Sequence, residues 1–142
     1  MKIERSALVI HSAEKMYQLV QDVPVYPQFL SWCTAAEVYE QTSAMQRASL
    51  TVAVAGIVQS FTTINKLHAG ERVDMKLLDG PFIQLQGAWD FMQLGQAGCR
   101  ISLKLDFEMR KSPVSLVFGA GFGRIADRLV DDFCRRADTV YI

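Results

Sequence analysis

Two histidines, three cysteines and fifteen carboxylates are the groups in this 142-residue chain on which hydrolytic, redox or metal chemistry would draw. Their spacing organises none of those chemistries. Cys33, Cys99 and Cys134 are odd in number and none stands in a C-x-x-C spacing, so neither a disulfide framework nor a zinc cage is expected, and a reducing compartment is the natural setting. His11 and His68 alone do not make a histidine-rich metal site. Cys33, beside Trp32, has no histidine placed as its base, and a cysteine among aromatics behaves as a small buried hydrophobe. Asp131 and Asp132 are adjacent on a predicted helix and do not face each other. Asp106 and Glu108 fall on the wet face of a predicted strand. No pair of carboxylates is singled out for acid–base work in a cleft.

Gly119, Gly121 and Gly123 form G-x-G-x-G, whereas a dinucleotide turn needs G-x-G-x-x-G between a buried strand and a helix, with another strand following. Inside a helix each glycine costs about 1 kcal/mol against alanine. Two readings stand: a loosened helix start that gates an interior, or a close approach of that helix to a sheet.

The aromatic residues are the richer signal. Tyr26, Phe29, Trp32, Phe61, Phe82, Trp89, Phe91, Phe107, Phe118, Phe122 and Phe133 are enough to wall a cavity for a planar or isoprenoid ligand. Ordinary core packing is the alternative for any one of them. The candidate wall residues are Phe29, Trp32, Phe61, Trp89, Phe122, Ile125, Leu129 and Phe133. In Phe61-Thr62-Thr63-Ile64-Asn65, hydroxyl and amide groups lie beside an apolar interior. Buried polar groups need partners, which either a ligand's carbonyls or the hairpin itself would supply. Thr63 and Asn65 are the candidate headgroup contacts.

The elements that must position these residues follow from periodicity. Thr42-Ser43, Gly56, Ala69-Gly70-Glu71, Asp79-Gly80-Pro81 and Gly95-Gln96-Ala97-Gly98 punctuate segments of strand length. Ile101, Leu103, Leu105, Phe107 and Met109 alternate with polar residues, as do Val73, Met75 and Leu77, and Ile83, Leu85, Trp89 and Phe91 share one parity. These are strands with one apolar and one solvated face. Ser12 is a plausible N-cap for a short helix reaching Val20, and Pro24 and Pro27 allow only a short or irregular helix between Asp22 and Trp32. From Pro113 the period becomes 3.6, with Phe118, Phe122, Ile125, Leu129, Phe133, Ala137 and Val140 along one face. The expected fold is α+β: a curved antiparallel sheet of six to seven strands around a long C-terminal helix, with two short helices after the first strand. One domain, 1–142, is expected.

Composition narrows the function. Fifteen basic and fifteen acidic residues cancel, which disfavours affinity based on neutralising nucleic-acid phosphates, though a local basic patch is compatible with it. Met1-Lys2-Ile3-Glu4-Arg5 puts charge where a signal peptide has its apolar stretch, and no apolar run approaches the ~20 residues of a transmembrane helix. A soluble, cytoplasmic protein is expected.

The segments Val23-Pro24-Val25-Tyr26-Pro27-Gln28-Phe29-Leu30-Ser31-Trp32-Cys33, Phe61-Thr62-Thr63-Ile64-Asn65-Lys66-Leu67, Asp79-Gly80-Pro81-Phe82, Gly87-Ala88-Trp89-Asp90-Phe91 and Phe133-Cys134-Arg135-Arg136-Ala137-Asp138-Thr139-Val140-Tyr141 resemble the coenzyme Q-binding START-like family of the SRPBCC superfamily. The bacterial members are often named ribosome association toxins. The likeness runs from end to end, in family order. It departs at Ser31, where many members have Pro, and at Ile64, where many have Arg, so no polar or ribosomal contact carries over at position 64. The resemblance implies a helix-grip fold and a hydrophobic cavity between sheet and C-terminal helix. Ubiquinone is then the leading ligand, in support of respiration, with no catalytic residue, metal or required cofactor. It also implies alternative partners: the large ribosomal subunit, whose joining other members block, and a small neighbour of ubiquitin-like fold. A lipid ligand further implies transient contact with the inner-membrane surface. Three functions therefore compete: a quinone carrier, a translation regulator, and a polyketide cyclase-type enzyme, which the same fold can host.

Overall fold

The computed structural model describes residues 1–142. Strand β1 (Lys2–Val9) leads to helix α1 (Ala13–Gln21) and a 3₁₀ segment (Val23–Gln28). Strands β2 (Cys33–Gln41), β3 (Met45–Val54), β4 (Ile57–His68), β5 (Arg72–Asp79), β6 (Phe82–Leu94) and β7 (Gly98–Met109) follow, and helix α2 (Pro113–Val140) ends the chain. All seven strands form one antiparallel sheet in the order β1-β7-β6-β5-β4-β3-β2. Each turn lies where glycine-containing or polar punctuation stands in the sequence.

Local chemistry starts both helices. The Ser12 hydroxyl accepts from the Lys15 amide and the Ser112 hydroxyl from that of Ser115, so each satisfies one orphan donor of a first turn. Pro113 occupies the first turn of α2, where its missing N–H has no partner to lose. Pro24 and Pro27 hold the intervening segment to a single 3₁₀ stretch.

Helix α2, 28 residues and about 42 Å long, lies in the concavity of the sheet. Its buried stripe runs Phe118, Phe122, Ala126, Val130, Phe133, Ala137. Two expectations shift here. Ile125 and Leu129 sit at the edge of the stripe, half-buried, and Val140 is exposed in the last turn. In β6 the shared parity fails at one end: a bulge between Phe82 and Gln84 turns Phe82 inward and leaves Ile83 54 % exposed.

The three helix glycines admit three neighbours. A β-carbon on Gly119 would lie 2.4 Å from Met109 Cγ, one on Gly121 2.2 Å from Val54 Cγ2, and one on Gly123 2.6 Å from Met1 Sδ. The glycines thus let the ends of β7, β3 and β1 close onto an unbroken helix, and close approach is the reading the structure supports. Arg5 of β1 completes the grip through Asp127 at 3.2 Å and Asp131 at 3.8 Å.

Candidate functional site

The interior divides into two aromatic clusters. Near the start of α2, Phe82 packs edge-on against Phe61, Phe107, Phe118 and Phe122, with ring centroids 5.2–6.4 Å apart. Near its end, Phe133 packs against Tyr26, Phe29 and Trp89 at 5.2–5.3 Å. Between the clusters lies a cavity of about 90 Å³. Its sheet side is formed by Ala48 and Leu50 of β3, Phe61, Thr63 and Asn65 of β4, Met75 of β5, Leu85 and Trp89 of β6, and Leu103 and Leu105 of β7. Phe122, Ile125, Ala126 and Leu129 of α2 face them, and Val23, Tyr26 and Trp32 close the end beside the 3₁₀ segment.

The structure brings Trp32, Phe61, Thr63, Asn65, Trp89, Phe122, Ile125 and Leu129 together around this space. Phe29 and Phe133 do not line it. They meet each other and Tyr26 edge-to-face in the neighbouring cluster, and Phe29 carries the Arg136 guanidinium 5.0 Å above its ring. Val23, Tyr26, Ala48, Leu50, Met75, Leu85, Leu103, Leu105 and Ala126 complete the wall, and strand parity or helix spacing holds the signal for those on the strands and on α2.

The polar corner of the cavity is built in series. The Thr63 hydroxyl donates to Asn65 Oδ1 at 2.9 Å, and Asn65 Nδ2 donates to Gln46 Oε1 at 2.9 Å. Gln46 Nε2 in turn donates to the Gln21 carbonyl at 2.8 Å and to Gln41 Oε1 at 2.9 Å. Gln46 stands directly opposite Asn65 in the β3–β4 ladder, so of the two sources left open by the sequence the hairpin supplies the partners. Gln46 lies on the inward parity of β3 with Ala48 and Val52, the signal by which alternation could have found it.

No acid–base pair faces the cavity. Its one titratable wall residue is Tyr26, whose hydroxyl donates to the Val20 carbonyl and whose pKa burial drives far above the ordinary phenol range. Cys33 is buried, and desolvation pushes its thiol from 9.0 up to about 11. Asp106 and Glu108 stay on the solvated side of β7. No group of three His, Cys, Asp or Glu side chains is arranged to hold a metal ion.

Comparison with known proteins gives four findings. Residues 9–134 match the family model described as polyketide cyclase/dehydrase and lipid transport. The chain is 46% identical over 140 residues to ribosome association toxin RatA of Escherichia coli K12, covering 99% of this chain and 89% of the relative. It is 26% identical over 135 residues to the mitochondrial coenzyme Q-binding protein COQ10 homolog B of Xenopus laevis, covering 92% of this chain and 55% of that protein. In fold it matches the crystal structure of the Zhui aromatase/cyclase from Streptomyces sp. R1128 with a TM-score of 0.85 at 18% identity, covering 97% of this chain and 93% of the other.

Proposed function

The chain belongs to the polyketide cyclase/dehydrase and lipid transport family, and from that premise we propose that it is a non-enzymatic binding protein for a hydrophobic ligand, with a prenylated quinone such as ubiquinone as the leading candidate. The observation that carries this reading is the chemistry of the wall. Seventeen residues line the cavity, and none is Asp, Glu, His, Lys, Arg or Cys. A cyclase needs general acids and bases at the reacting atoms, and the one phenol present is committed to a backbone carbonyl. An apolar wall with a single polar corner suits a greasy body bearing a small polar head. The second N–H of Asn65 Nδ2, beyond the one given to Gln46, is the donor that a quinone carbonyl requires. The Thr63 oxygen offers lone pairs beside it.

Size sets the mode of binding. At about 90 Å³ the cavity is smaller than the ~150 Å³ void that admits benzene. A quinone ring therefore enters only as side chains move aside. Trp32 and Ile125 are half-buried and line both the cavity and an open groove outside it, and Met75 is an adaptable thioether that can repack. Burial then contributes about 0.8 kcal/mol per CH₂ of a prenyl tail without any charged contact.

The test uses the two tryptophans of the chain, Trp32 and Trp89, both on the cavity wall. A short-chain ubiquinone titrated into the protein should quench their fluorescence saturably. Organic extraction of freshly purified protein should release a quinone or lipid identifiable by mass spectrometry. Ala126→Leu, which fills the cavity from α2, should abolish the saturable quench. An empty extract together with no saturable quench in the unaltered protein would overturn the reading.

A second reading is favoured by the 46% identity to a relative named for ribosome association: a regulator that binds the large ribosomal subunit and blocks subunit joining. Overexpression would then shift sucrose-gradient profiles from joined ribosomes to free subunits, and unchanged profiles would remove this role.

A further inference from the structure

On the convex side of the sheet, away from the cavity, one corner breaks the polar pattern. Leu8 at the end of β1 is 73 % exposed, Ile10 just beyond it 82 %, and Met92 and Leu94 at the end of β6 are 61 % and 41 %. The ladders bring them together. Leu8 and Met92 both stand opposite Arg100 of β7, and Leu94 stands opposite Gly98, which abuts Ile10. Beside them an open groove of about 800 Å³ runs across β6 to Gly70-Glu71. Of the six charged residues lining it, four are matched: Glu4 and Lys104 pair with each other at 3.8 Å, Arg5 with Asp127 at 3.2 Å, and Asp90 with Arg72 at 2.7 Å. Arg100 and Glu71 have no opposite charge within 4.0 Å. They flank β6: Arg100 pairs with Met92 on one side, and the Glu71 carbonyl accepts from the Phe91 amide on the other, so about 10 Å of sheet separates them.

We propose that this corner is a homodimer interface, on which a second copy of the chain docks about a two-fold axis running along β6. Such an axis sets Arg100 of each copy opposite Glu71 of the other, so both unmatched charges are answered twice over. It also lays Met92 and Leu94 on their counterparts and carries Leu8 and Ile10 over the exposed Ala69 of the second copy's β4–β5 turn. One unmatched residue of each sign, with exposed apolar side chains around them, is what a self-complementary surface requires. An anionic surface, whether nucleic acid or bilayer, would answer Arg100 and repel Glu71. No helix is long and apolar enough to cross a membrane, and the exposed side chains here come from strand ends.

The interface lies on the far side of the sheet from the cavity and needs no ligand, so it stands or falls apart from the quinone reading. The test is sedimentation equilibrium of the full chain over a wide range of loading concentration. The mass should rise with concentration from that of one chain to that of two, and dimerisation should weaken as salt rises. R100E and E71R, each at an exposed position, should each raise the dimer dissociation constant about tenfold, because the two-fold axis counts every lost ion pair twice. The charge swap R100E/E71R should restore the value of the unaltered chain, which a loss of folding would not allow. M92S/L94S should abolish the dimer, and R124Q/R128Q on α2 should leave it unchanged. The mass of a single chain at every loading concentration overturns the proposal. So does a dimer that R100E leaves intact, or one that the charge swap fails to restore.

Discussion

Cys33 opens β2 beneath the 3₁₀ segment, and its Sγ–H donates to the Ala35 carbonyl at 3.4 Å. Burial raises its pKa from 9.0 to about 11, so the fold favours the protonated thiol. The sign follows from linkage: this contribution to stability is fully present below about pH 9, where the unfolded thiol also holds its proton, and is lost as pH rises towards 11. Cys134, raised to about 11 by burial and then by Asp131 and Asp138, adds to the same alkaline limb. Melting curves should show Tm falling between pH 9 and 11, and Cys33→Ala should flatten part of that fall while leaving the neutral-pH slope unchanged. At neutral pH the thiol should resist alkylation until the protein unfolds. The bland sequence reading of Cys33, a small hydrophobe among aromatics, is the one its burial supports. Gln46 had no comparable reading, because its role arises only when pairing puts it opposite Asn65.

Helix α2 is the element on which cavity and grip both depend, and its glycines separate two energetic effects. Replacing a helix glycine by alanine gains about 1 kcal/mol of propensity. At Gly119 the new methyl meets the flexible stem of Met109, which can move, so G119A should be neutral or slightly stabilising. At Gly121 it meets the branched, stiff Val54, and overpacking of this kind costs about 1–3 kcal/mol. G121A should therefore destabilise by about 1 kcal/mol net, and in a V54A background the same change should turn stabilising. Urea denaturation of the four-membered cycle measures this coupling. The choice between gate and close packing was invisible in G-x-G-x-G, because it depends on which side chain another element presents. The bulge at Phe82–Gln84 is similar: alternation predicts Ile83 inside, and only the ladder with β7 shows the slip.

At the scale of the molecule, the cavity lies on the seam between two aromatic clusters that share α2 and the sheet, so a guest bridges both halves of the core. Ligand binding should therefore raise global stability. At a hundredfold excess over Kd the gain is about 2.7 kcal/mol, or about 8 °C in Tm for a chain of this size. Calorimetry with a short-chain ubiquinone should show this shift in the unaltered protein and not in Ala126→Leu, and the shift should be insensitive to salt because the wall carries no charge. Net charge, likewise, is a property of the whole chain that conceals its arrangement: fifteen of each sign cancel, yet Arg124 and Arg128 have no carboxylate within 4.0 Å, while the neighbouring acids engage Arg5, from the other end of the chain, and Arg135. The order and type of the elements, the wet and dry faces of β5, β7 and most of β6, the Ser12 cap of α1 and the Pro113 start of α2 were determined by the sequence alone, because these are local matters of period, turn residue and cap. Which aromatics face the cavity and which only fill core, how little room is left between them, and where charge goes unanswered were decided by the tertiary structure. Each depends on atoms brought within a few ångströms by segments far apart in the chain, and no local pattern encodes those distances.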